Sequence, residues 1–553
     1  MRLFLSTIFF LLIVESNSFS QVVYQPLNSD VYIFLSRLSQ KGIIDFDDQI
    51  RPLSRKYIAE KLSELENISD NLTSLEKQEL DFFLTDFGRE IDLLKNRGVE
   101  NPTVSTLAKD QFGRYRLFSY RDNLFTFNLS PVLGLEAGSR KNERLIHIWN
   151  GVSFYGYLAD DIGFSFKFVD NSEKGNTVDK WREFTPKTGF NQRNDQIIFG
   201  FPPDKVEYSE INTNIGVDWS WGRFSAGKDF MEWGYGESGL LVLSQKAPSF
   251  PFIRLDINPV DWLSFNYFHG FLSSDVIDSN ETYYHQTNGE RIIFREKYFA
   301  SHTLNIKPTK GLTISLGESI VYADKFEFSY LFPLLFFRVN DHHLSRQINE
   351  AGSNSQFFFS VSSRNHIKNT HLYGTLFIDE LTISNIFDKE KQRNQFAFSL
   401  GASVTDLPID NLTLKIEYTK IYPFVYEHYI QTTTYQHASY NLGHWMGSNG
   451  DLIYGSINYR FLRGLQASLW AQYIRKGDRG NAVLQYQTQP QPPFLFGLRK
   501  NYTYFGGSVK YEIFHELFAK ADFQLMRSSE QQQDLSFSNS DLNEFYFSVY
   551  YGL

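Results

Sequence analysis

The 553-residue chain contains no cysteine. Disulfides, thiolate zinc sites and cysteine nucleophiles are excluded together, so stability must come from packing and closed hydrogen bonding. Basic charge is also scarce: 54 Lys and Arg face 63 Asp and Glu, a net charge of −9, which leaves no electrostatic footprint for nucleic acid. After Val14 no run approaches the roughly 18 apolar residues that a membrane helix requires. No G-x-S-x-G elbow occurs, so esterase chemistry has no motif to rest on.

Aromatic residues are abundant instead. The chain has 53 Phe and 32 Tyr and is 17 % aromatic, yet its mean hydropathy is −0.34. Such a chain is rich in rings that favour membrane interfaces without being greasy overall, and if it crosses a membrane it does so as a barrel. Its start, "MRLFLSTIFFLLIVESNSFSQ", reads as a signal peptide over residues 1–20, with cleavage expected before Gln21. Export makes a nucleotide-dependent oxidoreductase a poor reading, and no cofactor is expected.

Residues 21–100 have helical periodicity. Val31, Phe34, Leu35 and Leu38 share a face that ends at Gly42, and Ser54 can cap a second helix carrying Ile58, Leu62 and Leu65. A third helix is expected to open on the capping box Thr73-x-x-Glu76 and to run through Leu80, Phe83, Phe87, Ile91 and Leu94 to Gly98. Residues 101–122 read as a connector.

From residue 123 to 553 the period is two. At the end of the chain Phe545, Phe547, Val549, Tyr551 and Leu553 alternate with Tyr546, Ser548, Tyr550 and Gly552, which predicts odd positions facing lipid and even positions facing a lumen. Short turns are expected at Ala159–Asp161, Ser220–Gly222, Asn258–Asp261, Lys307–Lys310, Arg364–Asn369, Thr405–Asp410, Leu462–Gly464 and Phe514–Glu516. Eight periplasmic hairpins, an opening strand and a closing strand predict an 18-stranded antiparallel transmembrane β-barrel, with an N-terminal periplasmic α-helical bundle at its mouth. Segments 171–207, 230–251, 271–298, 321–355, 422–450 and 476–501 become outer loops or loops folding into the lumen.

One of these loops holds "MEWGYGESG", in which Gly234, Gly236 and Gly239 have the G-x-G-x-x-G spacing of a dinucleotide cradle. Beyond Gly239 the chain contains Pro248 and Pro251 and leads into a strand, whereas that cradle needs a helix. The glycines are therefore read as allowing a tight loop around Trp233 and Tyr235. His342 and His343 after Asp341 are read as a solvated loop and not a metal site. Asp160–Asp161 and Asp379–Glu380 are read as solvent-facing turn or strand-end residues, so no catalytic or metal-binding residue is assigned. Rings paired with planar polar groups suit sugar recognition: Lys228, Glu232, Trp233, Tyr235 and Arg254 in one region, Tyr435, His437, Tyr440, His444 and Trp445 in another.

Three stretches resemble the Wzi capsule-assembly family of outer-membrane proteins, in the form found in Bacteroidetes-type bacteria: "AGKDFMEWGYGESGLLVLSQKAPSFPFIRLDI", "TTTYQHASYNLGHWMGSNGDLIYGSINYRF" and "VYIFLSRLSQKGIIDFDDQIRPLSRKYIAEKL". The matching positions include Lys228, Trp233, Gly234, Gly236, Pro248, Pro251, Arg254, Gly443, His444 and Gly447. Lys228 stands where the family often has Arg, and Tyr235 where it often has Pro. The resemblance implies an 18-stranded barrel with a periplasmic helical bundle and a lectin-like role, holding capsular or other surface polysaccharide at the outer membrane with no catalysis. Outer-membrane lipid and, through the helical bundle, a periplasmic partner are further expected contacts. A transport pore for a sugar or a hydrophobic solute is the alternative, and an outer-membrane hydrolase a third reading.

Overall fold

The computed structural model describes residues 20–552 other than 160–161, 191–203, 288, 348–351, 382–383, 385–387, 389–392, 486–487 and 489. The expected signal peptide up to Phe19, the Asp160–Asp161 pair and Leu553 lie outside the described residues.

The closing strand shows why the chain makes a barrel. In Phe537–Tyr551, Phe545, Phe547 and Val549 are exposed, while Tyr546 and Ser548 between them are buried. That strand pairs with Phe125–Arg140 from Glu544↔Arg140 to Tyr551↔Leu133, which closes the wall. The main sheet has 21 strands. Three of them, Ser20–Gln21, Thr103–Lys109 and Tyr115–Arg121, are appended to it, and the remaining 18 antiparallel strands form the wall. The seven expected short turns that lie wholly within the described residues join consecutive wall strands, as in Gly450–Leu462 to Leu465–Lys476 and Lys500–Phe514 to Leu517–Gln531. No described helix is long and apolar enough to cross a membrane; the spanning elements are strands.

Among the described residues, the helices of the N-terminal region are α1 (Asp30–Gln40), α2 (Arg55–Asn67), α3 (Ser74–Asp86) and α4 (Gly88–Leu94). Ser54 Oγ accepts the Tyr57 N–H, and Thr73 and Glu76 form a reciprocal capping box. The single third helix expected through Gly98 is broken at Phe87. Arg55 Nη2 captures the Asp86 carbonyl at 2.7 Å, which occupies the acceptor that a continuous helix would give to residue 90, and the guanidinium packs over the Phe87 ring. The connector folds as a hairpin, Thr103–Lys109 against Tyr115–Arg121, closed by Asp110 Oδ1 accepting the Phe112 and Arg114 amides at 2.9 Å.

These helices cap the periplasmic mouth through charged contacts to the turn ends of the wall. Arg37 bridges Glu76 (2.8 Å) and Asp406 (2.7 Å), and Lys41 reaches the same two carboxylates at 2.7 and 2.8 Å. Arg364 pairs with Asp48 at 2.6 Å, Lys510 with Asp30 at 2.6 Å, and Gln40 donates to the Asn369 and Ser403 carbonyls at 2.8 Å.

Candidate functional site

The loop after strand Gly222–Asp229 does not stay at the outer rim. It descends through the lumen, where Glu232 and Trp233 pair as a short antiparallel strand with Arg51 and Ile50 of the cap. The Gly234 N–H donates to the Gln49 carbonyl at 2.8 Å, and Arg51 pairs with Glu232 at 2.8 Å. Gly234 takes φ +115°, which a side chain would strain, and the Trp233 ring, 1 % exposed, meets Phe358 edge-on at 5.7 Å. Tyr235 lies under the Arg364 guanidinium, 5.5 Å away, and edge-on to His371 at 5.2 Å.

The second region meets this loop inside the barrel. Tyr426 and Tyr435 donate their hydroxyls to the Leu241 and Val242 carbonyls, each at 2.7 Å. The Ser244 N–H donates to the Leu442 carbonyl at 2.8 Å, and the Trp445 indole donates to the Ser238 carbonyl at 2.6 Å. Gly239 allows the approach: a Cβ there would stand 2.7 Å from the His444 ring. Glu417, on the inner wall, accepts the Glu237 amide at 2.9 Å, the Ser238 amide at 3.1 Å and the Tyr373 hydroxyl at 2.7 Å, and also pairs with the Ser238 hydroxyl.

The two regions therefore converge as a packed plug and not as a groove of exposed rings. Trp233, Arg254, Tyr435, His437, Tyr440, His444 and Trp445 are buried, and Lys228, Glu232 and Tyr235 are partly so. His437 Nδ1 accepts the Ser273 amide at 2.9 Å, and His444 Nδ1 accepts the Met446 amide at 3.1 Å. Burial, reinforced by nearby Lys297 and Lys228 for His437 and by Lys476 for His444, pulls both imidazoles down to about 3, so both are neutral at physiological pH. Lys228 Nζ is committed to the Ser249 hydroxyl (2.7 Å) and the Ile211 carbonyl (3.0 Å). Arg254 faces the cap, where it pairs with Asp256 at 2.9 Å, donates to the Pro52 carbonyl at 3.0 Å and packs over Tyr24. Pro251 is the second residue of the strand Phe250–Val260, which carries Arg254; Pro248 lies in the plug loop, and Gly443 lets the Tyr426 hydroxyl approach within 2.6 Å of its would-be Cβ. Gly447, at φ +68°, donates its N–H to the His444 carbonyl at 3.1 Å.

Two readings of acidic residues are corrected by the same packing. Asp379 is buried, accepting the Tyr426 amide at 2.6 Å and the Gln356 amide group at 3.2 Å, and thus anchors the plug from the wall. Asp341, His342 and His343 lie on a helix, Phe337–Gln347, and not in an extended loop. No group of three metal-ligating side chains occurs among the described residues.

Sequence reading missed the third layer. Lys246 Nζ gathers the carbonyls of Arg182, Thr185 (2.9 Å) and Lys187 (3.2 Å) and stands 5.2 Å from the Tyr440 ring. Arg182 in turn pairs with Glu173 and packs over Phe190. The Tyr440 hydroxyl donates to the Trp181 carbonyl at 2.8 Å, and Trp181 itself is 37 % exposed beside the Arg140–Asp179 pair (3.5 Å). Lys246 lies in the Ser-x-Lys-Ala-Pro stretch, and that was the one local signal available.

Residues 149–541 match the family described as capsule assembly protein Wzi. None of the curated proteins compared matches the chain. Among solved structures it is similar to Escherichia coli Wzi, an outer membrane protein described as involved in group 1 capsule assembly and as a carbohydrate-binding β-barrel. The TM-score is 0.54 and the identity 10 %, over 97 % of this chain and 100 % of that one. Pseudomonas aeruginosa OprD (TM-score 0.41, 13 % identity, 77 % of this chain and 95 % of that one) and Acinetobacter baumannii OccAB2 (0.42, 11 %, 77 % and 97 %) are also similar.

Proposed function

Because the chain belongs to the capsule assembly protein Wzi family, we propose that it binds surface polysaccharide at the outer face of an outer-membrane barrel and holds it there without catalysing its turnover. The observation that carries this reading is the plug: two loops locked together inside the lumen turn the outer mouth into a fixed platform. A fixed platform suits recognition, since little ordering entropy is lost when a long ligand settles on it.

In this reading the pattern residues shape the platform from beneath. Trp233, Tyr235, Tyr435, His437, Tyr440, His444 and Trp445 hold the plug, while Lys228, Glu232 and Arg254 tie its loops to the wall and to the cap. The sugar contacts fall to Trp181, whose ring can stack on a pyranose face, and to Arg140 and Asp179, whose planar groups can hydrogen-bond hydroxyls.

Retention of surface polysaccharide on immobilised, detergent-purified protein tests the proposal. Trp181→Ala is expected to lower retention at least fivefold with an unchanged thermal midpoint. No retention by the unaltered protein overturns it.

A pore is the second reading, favoured by a lumen cavity of about 330 Å³ lined in part by Arg116, Lys167, Glu210 and Asp229. Large, steady single-channel conductance by the unaltered barrel decides for it.

A further inference from the structure

Most of the outward face of the barrel is an apolar band: Leu316, Leu400, Ile416, Ile453 and Ile457 are all exposed on it. On the outward face of strands Leu263–Ile277, Phe294–Thr309 and Leu312–Ala323, however, one cross-strand row reads Tyr267, His302, Glu318. Glu318 is midway along its 12-residue strand. At ~3.3 Å per residue and a tilt of ~40°, this puts the carboxyl about 15 Å above the periplasmic turn, near the centre of the apolar band. An uncovered carboxylate at that depth is strongly disfavoured.

It is covered. Glu318 is 2 % exposed because residues 326–347 fold back from the outer rim over the outside of the wall. Its two oxygens accept the Phe337 and Arg338 amides at 2.8 and 2.6 Å, in the first turn of helix Phe337–Gln347. The Tyr267 hydroxyl donates to the Tyr330 carbonyl at 2.8 Å, and the Phe337 ring lies 4.5 Å from His302. Tyr330 and Phe337 are buried against the wall.

The other side of this flap is as apolar as the wall it hides. Phe328, Phe332, Leu334, Phe336 and Val339 all point away from the protein, Leu334 with 84 % exposure. Water does not favour such a cluster of large exposed apolar side chains, whereas lipid does. The backbone also meets the requirement of a dry medium, where polar groups need internal partners. The Phe332 N–H donates to Ser329, Leu335 to Phe332 and Asn340 to Phe336, at 3.0 to 3.1 Å, while Pro333 has no N–H to satisfy. Two charged side chains lie within the flap and each has a partner: Glu327 accepts the Ser329 amide at 3.0 Å, and Arg338, between Phe336 and Val339, reaches Asp341 (3.6 Å) and the Ser355 hydroxyl (3.4 Å). His342 and His343 follow as the chain returns toward Asn354 at the outer rim.

We propose that residues 326–339 form a lipid-inserted flap, with the Phe328–Val339 face packed among acyl chains of the outer leaflet and the Glu318 row serving as its latch on the wall. The occupant is acyl chain because the exposed face continues the lipid-facing band.

The absence of cysteine makes the test direct. Leu334→Cys, labelled with an environment-sensitive fluorophore and reconstituted in phospholipid vesicles, is compared with Leu400→Cys on the wall and Tyr284→Cys on an outer loop. Quenching by brominated lipid within twofold of the Leu400 control, with iodide quenching at least fivefold weaker than at Tyr284, is expected. Iodide quenching equal to that at Tyr284 overturns the proposal, as does protection from both quenchers, which means protein covers the face. Adding Glu318→Ala should raise iodide quenching at Leu334→Cys severalfold; an unchanged value in a folded barrel overturns the latch. Because Leu334 touches little of the protein, the first comparison stands even if Glu318→Ala does not fold.

Discussion

Trp445 and Ser238, 207 residues apart, are joined by a 2.6 Å hydrogen bond from the indole N–H to the Ser238 carbonyl. That bond is where two outer loops of the chain become one plug. Trp445→Phe keeps an aromatic ring and strands a buried carbonyl, at a cost of about 1–3 kcal/mol. Planar-bilayer recordings should show the closed barrel acquiring frequent openings; traces that stay closed count against the plug.

Glu417 holds the same junction from the wall, with two backbone amides and the Tyr373 hydroxyl on its carboxylate. Glu417→Ala leaves all three unpartnered and should destabilise the plug by roughly 2–5 kcal/mol. Hydrogen exchange at Glu237 and Ser238 is expected to accelerate sharply, and Glu417→Gln should fall between Glu417→Ala and the unaltered protein.

The buried imidazoles make the plug sensitive to acid. Burial holds His437 and His444 at about 3, against about 6.5 for an unfolded imidazole. Between those values the unfolded chain binds more protons, so this contribution is complete above about pH 6.5 and is lost as the pH falls toward 3. The thermal midpoint should drop from pH 7.5 to pH 5, and His444→Asn, which keeps an acceptor near the Met446 amide, should flatten the drop. An equally steep drop in His444→Asn removes His444 from the account.

The cap responds in a lower window. Burial alone raises the Glu76 and Asp406 carboxyls, yet Arg37 and Lys41 hold both below the usual carboxylate range. Their contribution is therefore present above about pH 4 and disappears as the pH falls below it. Pepsin should begin to cleave the α1–α4 region as the pH is lowered from about 4 to about 2.5, and Arg37→Met should be cut already at about pH 4.5.

Much of the wall was legible because its signals are local. A turn such as Leu462–Gly464 declares itself between two alternating runs, and Thr73-x-x-Glu76 specifies its own helix start. The break at Phe87 was not legible, since it depends on Arg55 reaching an Asp86 carbonyl from another helix. The descent of Glu232–Trp233 to Arg51–Ile50 was hidden for the same reason: the partners are remote and each pairing is only two residues long. The burial of the candidate rings was not legible either. Rings and planar polar groups in a loop read alike whether they face a ligand or, like Tyr435 and His444, one another.

The pairing of Trp233 with Ile50 also bears on mechanics. A polymer pulling on the outer platform loads the plug loop, and that loop is hydrogen-bonded edge to edge with the cap on the opposite side of the membrane. Tension applied outside would be shared between the periplasmic helices, through these main-chain bonds, and the barrel wall, through Glu417 and Asp379.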